Sequence, residues 1–374
     1  MTMDLSSVLS ICLFIIVLVA SLFFFVKVKT NKSRIFISII LGFLLAVVAH
    51  KFEPATTFDL VRHHSLVDMY ANHIDNGGVF QIIKSGNEIV PQFVSYFVAL
   101  IGDNNMLQAL VVFCGYTLLF YMLSDYRQMS QLNNVRFLLI TIIIICGQNM
   151  LMYFSGLYNY LAINIFSFAI YMDYVKHKKT IPIILYVLCP LIHISMFFPL
   201  AVIIVFKIKK GNVGLRFILL SAIILLAFGS LLGVLISSFN IGYLNLARDT
   251  LNTYILHNDK MFRFYGGIYL LINICDIFIS IISCKMSDRD DISVVKRLVY
   301  FLGFYVVILS FGSIVILRFS PLVLFISLPI IIDISTNYTR NRLLFDLALA
   351  ALALFYLAYT VSSLAPYINI GVTA

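Results

Sequence analysis

Apolar runs of bilayer length, separated by short polar breaks, recur from one end of this chain to the other. A membrane-spanning helix needs roughly 20 apolar residues, and spans of that kind are predicted at Leu5–Val26, Ile35–Val48, Leu107–Leu123, Phe137–Phe154, Tyr160–Tyr174, Leu215–Ser237, Gly267–Cys284, Leu298–Ser313, Pro321–Ile332 and Leu343–Val361. The first is too long and too uniformly apolar for a cleaved signal peptide. Val90–Ile101 is shorter and ends at Gly102-Asp103-Asn104-Asn105, which suits an interfacial or re-entrant helix. The run 181–206, IPIILYVLCPLIHISMFFPLAVIIVF, is long for one helix and short for two, and is broken by Pro190 and Pro199 with His193 between them. Lysines flank it on both sides, so it is read as a pair of broken helices that enters and returns. The pattern predicts an all-α polytopic membrane protein of about 11–12 transmembrane helices in a single domain over residues 1–374.

Composition agrees. The chain is 61% hydrophobic and only 11% charged, with a mean hydropathy of +1.01, whereas a soluble domain is nearer a quarter charged. The six cysteines lack zinc or disulfide spacing and are read as small core residues. A net charge of +9 would suggest nucleic acid only if the charges were clustered on a surface; here most fall in short loops between helices, and no nucleic-acid partner is expected. With the N-terminus placed outside, Lys51, Arg62, Lys84, Arg248, Lys260, Arg263 and Arg318 lie outside and all other Lys and Arg residues in cytoplasmic loops, as the positive-inside rule requires.

Two outside segments are long enough to carry function: residues 50–105, a helical loop after the second span, and residues 239–265. The first opens with HKFEPATTFDLVRHHSLVDMYANH, which gathers Asp59, Arg62, His63, His64 and Asp68 within a few helical turns. A solvated loop is the plain alternative, but such a mixture of Arg, His and Asp is unlike a Lys/Glu fringe. His193 is an ionisable group at membrane depth and hence a functional candidate; a buried histidine bonded to a backbone carbonyl is the alternative. Asp276 is read as a structural hydrogen-bonding residue, and the D-x-D within Ser287–Asp291 as a solvated loop. Arg318 stands alone in apolar sequence, where it either snorkels to lipid phosphate or holds an anionic ligand. Phosphate loops, H-E-x-x-H and G-x-S-x-G are absent, and no paired carboxylates build a magnesium site, so neither catalytic metal nor cofactor is expected.

Three places resemble the Wzy/EpsG-like polymerases of O-antigen and capsular polysaccharide. Asp59-Leu60-Val61-Arg62-His63-His64 resembles that family's D-L-x-R-H-Y; SGLYNYLAINIFSFAIYMDYVKHKK and LIHISMFFPL resemble two later segments, and Arg318 a recurrent late arginine. Tyr158 and Asn159 stand where many members carry arginine. The resemblance implies a glycosyltransferase of the GT-C type in the bacterial inner membrane, its active site facing the periplasm. It would move a growing glycan from undecaprenyl pyrophosphate to a hydroxyl of an incoming lipid-linked unit. Membrane lipid, a chain-length regulator and the flippase of the same pathway would be its partners. The site residues that follow are His193, or else Asp59, as general base, with Arg62 and Arg318 on the pyrophosphate. Arg248, Arg263, His63, His64, Asp68, Tyr158 and Asn159 would contact pyrophosphate or glycan. A flippase for the same lipid-linked units, an O-antigen ligase and a membrane acyltransferase are the rival readings.

Overall fold

A computed structural model describes residues 12, 14–21, 24, 30–53, 59–72, 88–130, 132–148, 153, 156–208, 259–288, 292–309, 315–337 and 341–364; for 259–269, 308–309, 315, 317 and 364 it describes the backbone alone. The predicted span Leu215–Ser237, Arg248, most of the 239–265 segment and the second half of the D-x-D loop lie outside the described residues. Every element in the described residues is helical. The chain forms two compact units: one comprises 1–79, 93–168 and 332–374, the other 80–92 and 169–331.

The first unit is built on the pairing of α1 (Asn31–His50) with a helix of 24 residues, Met106–Met129, here α4. Thr30 caps α1 in a reciprocal capping box with Ser33, which satisfies backbone N–H groups that the first turn leaves without partners. On α1 the buried positions Ser38, Leu41, Gly42, Leu45 and Ala49 recur at helical spacing, while Phe36, Ile39, Phe43 and Val47 are exposed. An apolar outer face of this kind suits contact with lipid. The two helices come closest at Gly42. A Cβ there would lie 2.1 Å from Thr117 Oγ1 and 3.1 Å from the carbonyl oxygen of Phe113, so only glycine permits the approach. At one end of the pair Arg34 is bonded to Asp125 and to the amide oxygen of Gln128.

Between them in sequence come α2 (Asp59–Ala71) and α3 (Ile89–Ile101). Gly102, at φ +79°, ends α3 in the left-handed conformation open to glycine. Also in the first unit, α5 (Asn134–Gly147) packs on α12 (Arg342–Leu364). Arg136 fastens the pair: its Nε donates to Asp346 Oδ1 at 2.6 Å, and a terminal nitrogen donates to the Ser335 carbonyl. α6 (Leu157–Ile170) is buried along most of its length and runs on into a π turn, Tyr171–Val175.

In the second unit, α7 (Thr180–Ile192) and α8 (Phe197–Ile208) are separated by His193 and a 3₁₀ turn, Ile194–Met196. At 1.5 Å per residue each is about 20 Å long, short of the roughly 30 Å hydrocarbon core. Pro190 removes one backbone donor near the end of α7, and Pro199 sits in the first turn of α8, where proline costs nothing. α9 (Asp259–Met286), α10 (Ser293–Leu309) and most of α11 (Val315–Asn337) complete the unit. Ser280 and Ser327 meet at 3.0 Å between α9 and α11.

Among the described residues, four helices are long and apolar enough to cross a membrane: α1, α4, the Arg318–Asn337 part of α11 and the Arg342–Ser363 part of α12. Two expectations need correction. The span predicted to begin at Pro321 runs instead from Val315, with Pro321 and Pro329 inside the helix, since buried neighbours can take over the backbone groups that proline frees. Cys12 and Cys114 are exposed, so the cysteines are not uniformly core residues; Cys146, Cys189 and Cys284 are buried.

Candidate functional site

The first unit presents α2 as a polar helix with two distinct faces. Leu60, His63, Val67 and Tyr70 are buried, a spacing of one helical stripe, and Arg62 projects outward with its side chain 76% exposed. Asp59 occupies the first turn, where a carboxylate complements the helix dipole. It also faces two side chains of its own helix, with Arg62 Nε at 3.0 Å and His63 Nε2 at 3.4 Å. The His63 ring packs edge-on against Tyr158, ring centroids 4.9 Å apart. Two segments of the resemblance, DLVRHH and GLYNYL, therefore meet in one unit. Asn159, next to Tyr158, is buried as well.

The neighbouring face of α2 is tied to the start of α4. His64 Nε2 lies 2.9 Å from Gln108 Oε1, and because an amide oxygen only accepts, the imidazole donates. Gln108 Nε2 donates to Asn105 Oδ1 at 3.1 Å, and Asn104 Nδ2 donates to Asp68 Oδ1 at 2.7 Å. His50 Nε2 donates to Asp103 Oδ2 at 2.7 Å, and the Asn105 N–H donates to Asp103 Oδ1 at 2.9 Å. Burial acts to raise the Asp103 carboxyl, but these two hydrogen bonds and the charges of His50 and Lys51 bring it below the ordinary aspartate value. His64 and Asp68 are thus held in contacts that fix α2 to the turn before α4.

The second unit holds His193, at the break between α7 and α8. Its backbone is extended, φ −151° and ψ 125°, and its side chain caps the 3₁₀ turn: Nδ1 accepts from the Ser195 N–H at 3.3 Å and lies 2.7 Å from Ser195 Oγ. The other ring nitrogen, Nε2, is 4.0 Å from Glu88 Oε1. That carboxylate oxygen also accepts the Ile194 N–H at 2.8 Å, so Glu88 serves the same turn from outside it. Both side chains are mostly buried, 16% exposed for His193 and 18% for Glu88. Reading the sequence missed Glu88 as a partner for His193. Its signal was faint: a lone carboxylate in KSGNE, just ahead of an apolar helix.

Arg318, also in the second unit, is half-buried in the first turn of α11. Two residues on, Ser320 donates to Asn273 Oδ1 and lies 3.4 Å from Asp276 Oδ2, with all three side chains buried. Asp276 thus stands in a hydrogen-bonded contact between α9 and α11. The Arg263 side chain lies outside the described residues, as does Arg248. Among the described residues no three His, Cys, Asp or Glu side chains gather as a metal site. Compared with family models, characterised proteins and solved structures, the chain matches none.

Proposed function

We propose that the chain is a membrane glycosyltransferase that polymerises lipid-linked oligosaccharide units, passing the growing glycan from a polyprenyl pyrophosphate to a hydroxyl of the next unit. The observation that carries this reading is the His193–Glu88 pair at a break between two apolar helices. Ionisable side chains in such surroundings cost energy to keep and mark functional positions. In a pair of a histidine and a carboxylate, one group can take the proton of an attacking hydroxyl while the other holds that hydroxyl in place.

Departure of a pyrophosphate from C1 of a sugar builds charge on the leaving oxygens. Guanidinium groups meet that charge with a fixed fork of donors and stay protonated when partly buried. Arg318, half-buried in the first turn of α11, has this role in one unit. In the other, Arg62 stands out from α2 and binds the pyrophosphate of a lipid-linked substrate, with His63 and Tyr158 fixing the helix that carries it. Arg248 and Arg263 are assigned to the glycan or to a second pyrophosphate. The group transferred is bulky and membrane-anchored, which fits an exposed polar helix next to apolar spans.

The test is the surface glycan of a strain lacking the gene. Single-unit caps, converted to ladders by the restored gene, support polymerisation. Complete loss of surface units indicates the flippase, and polymer left unattached to its lipid core indicates the ligase.

A further inference from the structure

We propose that the proton of the attacking hydroxyl is taken by the carboxylate of Glu88, and that His193 is a hydrogen-bond donor which positions that hydroxyl. The inference deepens the glycosyltransferase reading and rests on it for the reaction, while its structural premise stands on the contacts of His193 alone.

The argument starts from the 3₁₀ turn. The Ser195 N–H donates to His193 Nδ1 at 3.3 Å, so Nδ1 carries a lone pair and no proton. The Ser195 hydroxyl, 2.7 Å away, then donates to the same nitrogen. In a neutral imidazole one nitrogen donates and the other accepts, so the ring proton resides on Nε2. Nε2 is the nitrogen that faces Glu88, 4.0 Å from Oε1. His193 therefore shows Glu88 an N–H, and its own lone pair is committed to capping the turn. Protonating Nδ1 would break two hydrogen bonds that hold Ile194–Met196 in place.

A carboxylate has lone pairs to spare after accepting one N–H. Glu88 Oε1 already takes the Ile194 N–H at 2.8 Å, which fixes the carboxylate against the turn. The separation of 4.0 Å between Nε2 and Oε1 is too long for a direct hydrogen bond. A hydroxyl oxygen about 2.8 Å from each atom spans it, accepting from Nε2–H and donating to the carboxylate. In the transfer the hydroxyl oxygen forms its bond to C1 as its proton moves to Glu88, and the C1–oxygen bond to pyrophosphate breaks with its electron pair leaving on the pyrophosphate. The proton passes afterwards to water. In glycoside-cleaving enzymes that invert their substrates, a carboxylate base takes the proton of the attacking water in the same way.

The experiment compares Glu88→Gln, Glu88→Asp and His193→Gln, each purified and reconstituted with lipid-linked repeat units. Glutamine at 88 keeps an oxygen for the Ile194 N–H, and glutamine at 193 keeps an N–H donor near the position of Nε2. The expected result is a fall in kcat of roughly 10²–10⁴ for Glu88→Gln with KM little changed, partial recovery in Glu88→Asp, and His193→Gln within about tenfold of wild type. An inactive His193→Gln beside an active Glu88→Gln overturns the assignment, as do equal losses or equal retention in both. The tautomer is read separately, by ¹⁵N NMR of histidine-labelled protein with His193→Gln as the blank. Protonation at Nε2 is expected, and a proton on Nδ1 overturns the premise whatever the activity. A wild-type chain that forms no polymer while showing the Nε2 proton refutes the glycosyltransferase reading and the base with it.

Discussion

Removing one member of the Arg34–Asp125 pair should damage the protein far more than removing both. Arg34 and Asp125 are bonded between α1 and α4 with side chains 8% and 2% exposed. Gln128 supplies a second acceptor for the same guanidinium. Asp125→Leu strands a buried cation that keeps the neutral Gln128 amide oxygen and the Tyr121 ring, 5.7 Å away, but no opposite charge from Asp125. Breaking a buried pair in this way costs about 3–5 kcal/mol, which lowers the folded-to-unfolded ratio by about two to three and a half orders of magnitude at roughly 1.4 kcal/mol per tenfold. In Arg34→Met/Asp125→Leu the stranded charge is gone and two apolar side chains fill the space. Such replacements range from neutral to about 1–4 kcal/mol stabilising. The assay is a double-mutant cycle on reversible unfolding in mixed detergent micelles, with pulse proteolysis as the probe. A cost under about 1 kcal/mol for Asp125→Leu, or a double variant as unstable as the sum of the singles, would refute the reasoning. The first result would mean that Arg34 snorkels to water at the end of α1.

Three further outcomes are expected. Arg62→Lys and Arg318→Lys should each lower polymer formation by roughly 10²–10³ with protein levels unchanged, because a point charge replaces a bidentate fork; full glycan ladders from both variants would mean that these arginines touch only phospholipid. Gly42→Leu should force α1 off α4, since even a Cβ meets Thr117 Oγ1 at 2.1 Å; a fall in membrane accumulation checks this, and Gly42→Ala should fall between the two. The contribution of Asp103 has a definite sign with pH. Its folded value is lowered, so its contribution is complete above the ordinary aspartate value of about 3.9 and is lost as pH falls through the lowered one. Asp103→Asn should flatten that acid limb of an unfolding-versus-pH profile.

The helical class and the positions of most described helices were legible because long apolar runs carry a strong local signal. The break at His193 was legible for the same reason, from Pro190 and Pro199 on either side of it. Pairings between helices were not. Arg34 and Asp125 are each a charge at the end of an apolar run, and nothing local says that 91 residues apart they meet in a buried contact. The same holds for Glu88 and Ile194, separated by 106 residues. The start of α11 was misplaced because a proline after polar Ser320 imitates a helix boundary, while in a packed apolar helix the freed carbonyl can find another partner. In α2 the sequence picked out Asp59, Arg62, His63, His64 and Asp68 together. Periodicity alone left open which of them turn inward, and the structure buries His63 against Tyr158 and turns Arg62 out.

The most direct measurement of the central claim uses the purified chain alone in proteoliposomes, with polyprenyl-pyrophosphate-linked repeat units as the sole substrate. Products are released from the lipid by mild acid and sized by mass spectrometry at successive times. The account predicts glycans of two, three and more units, with one polyprenyl pyrophosphate freed for every new linkage, and the same products formed roughly 10²–10⁴-fold more slowly by the Glu88→Gln chain. Lipid-linked single units that cross the bilayer but never lengthen would contradict it.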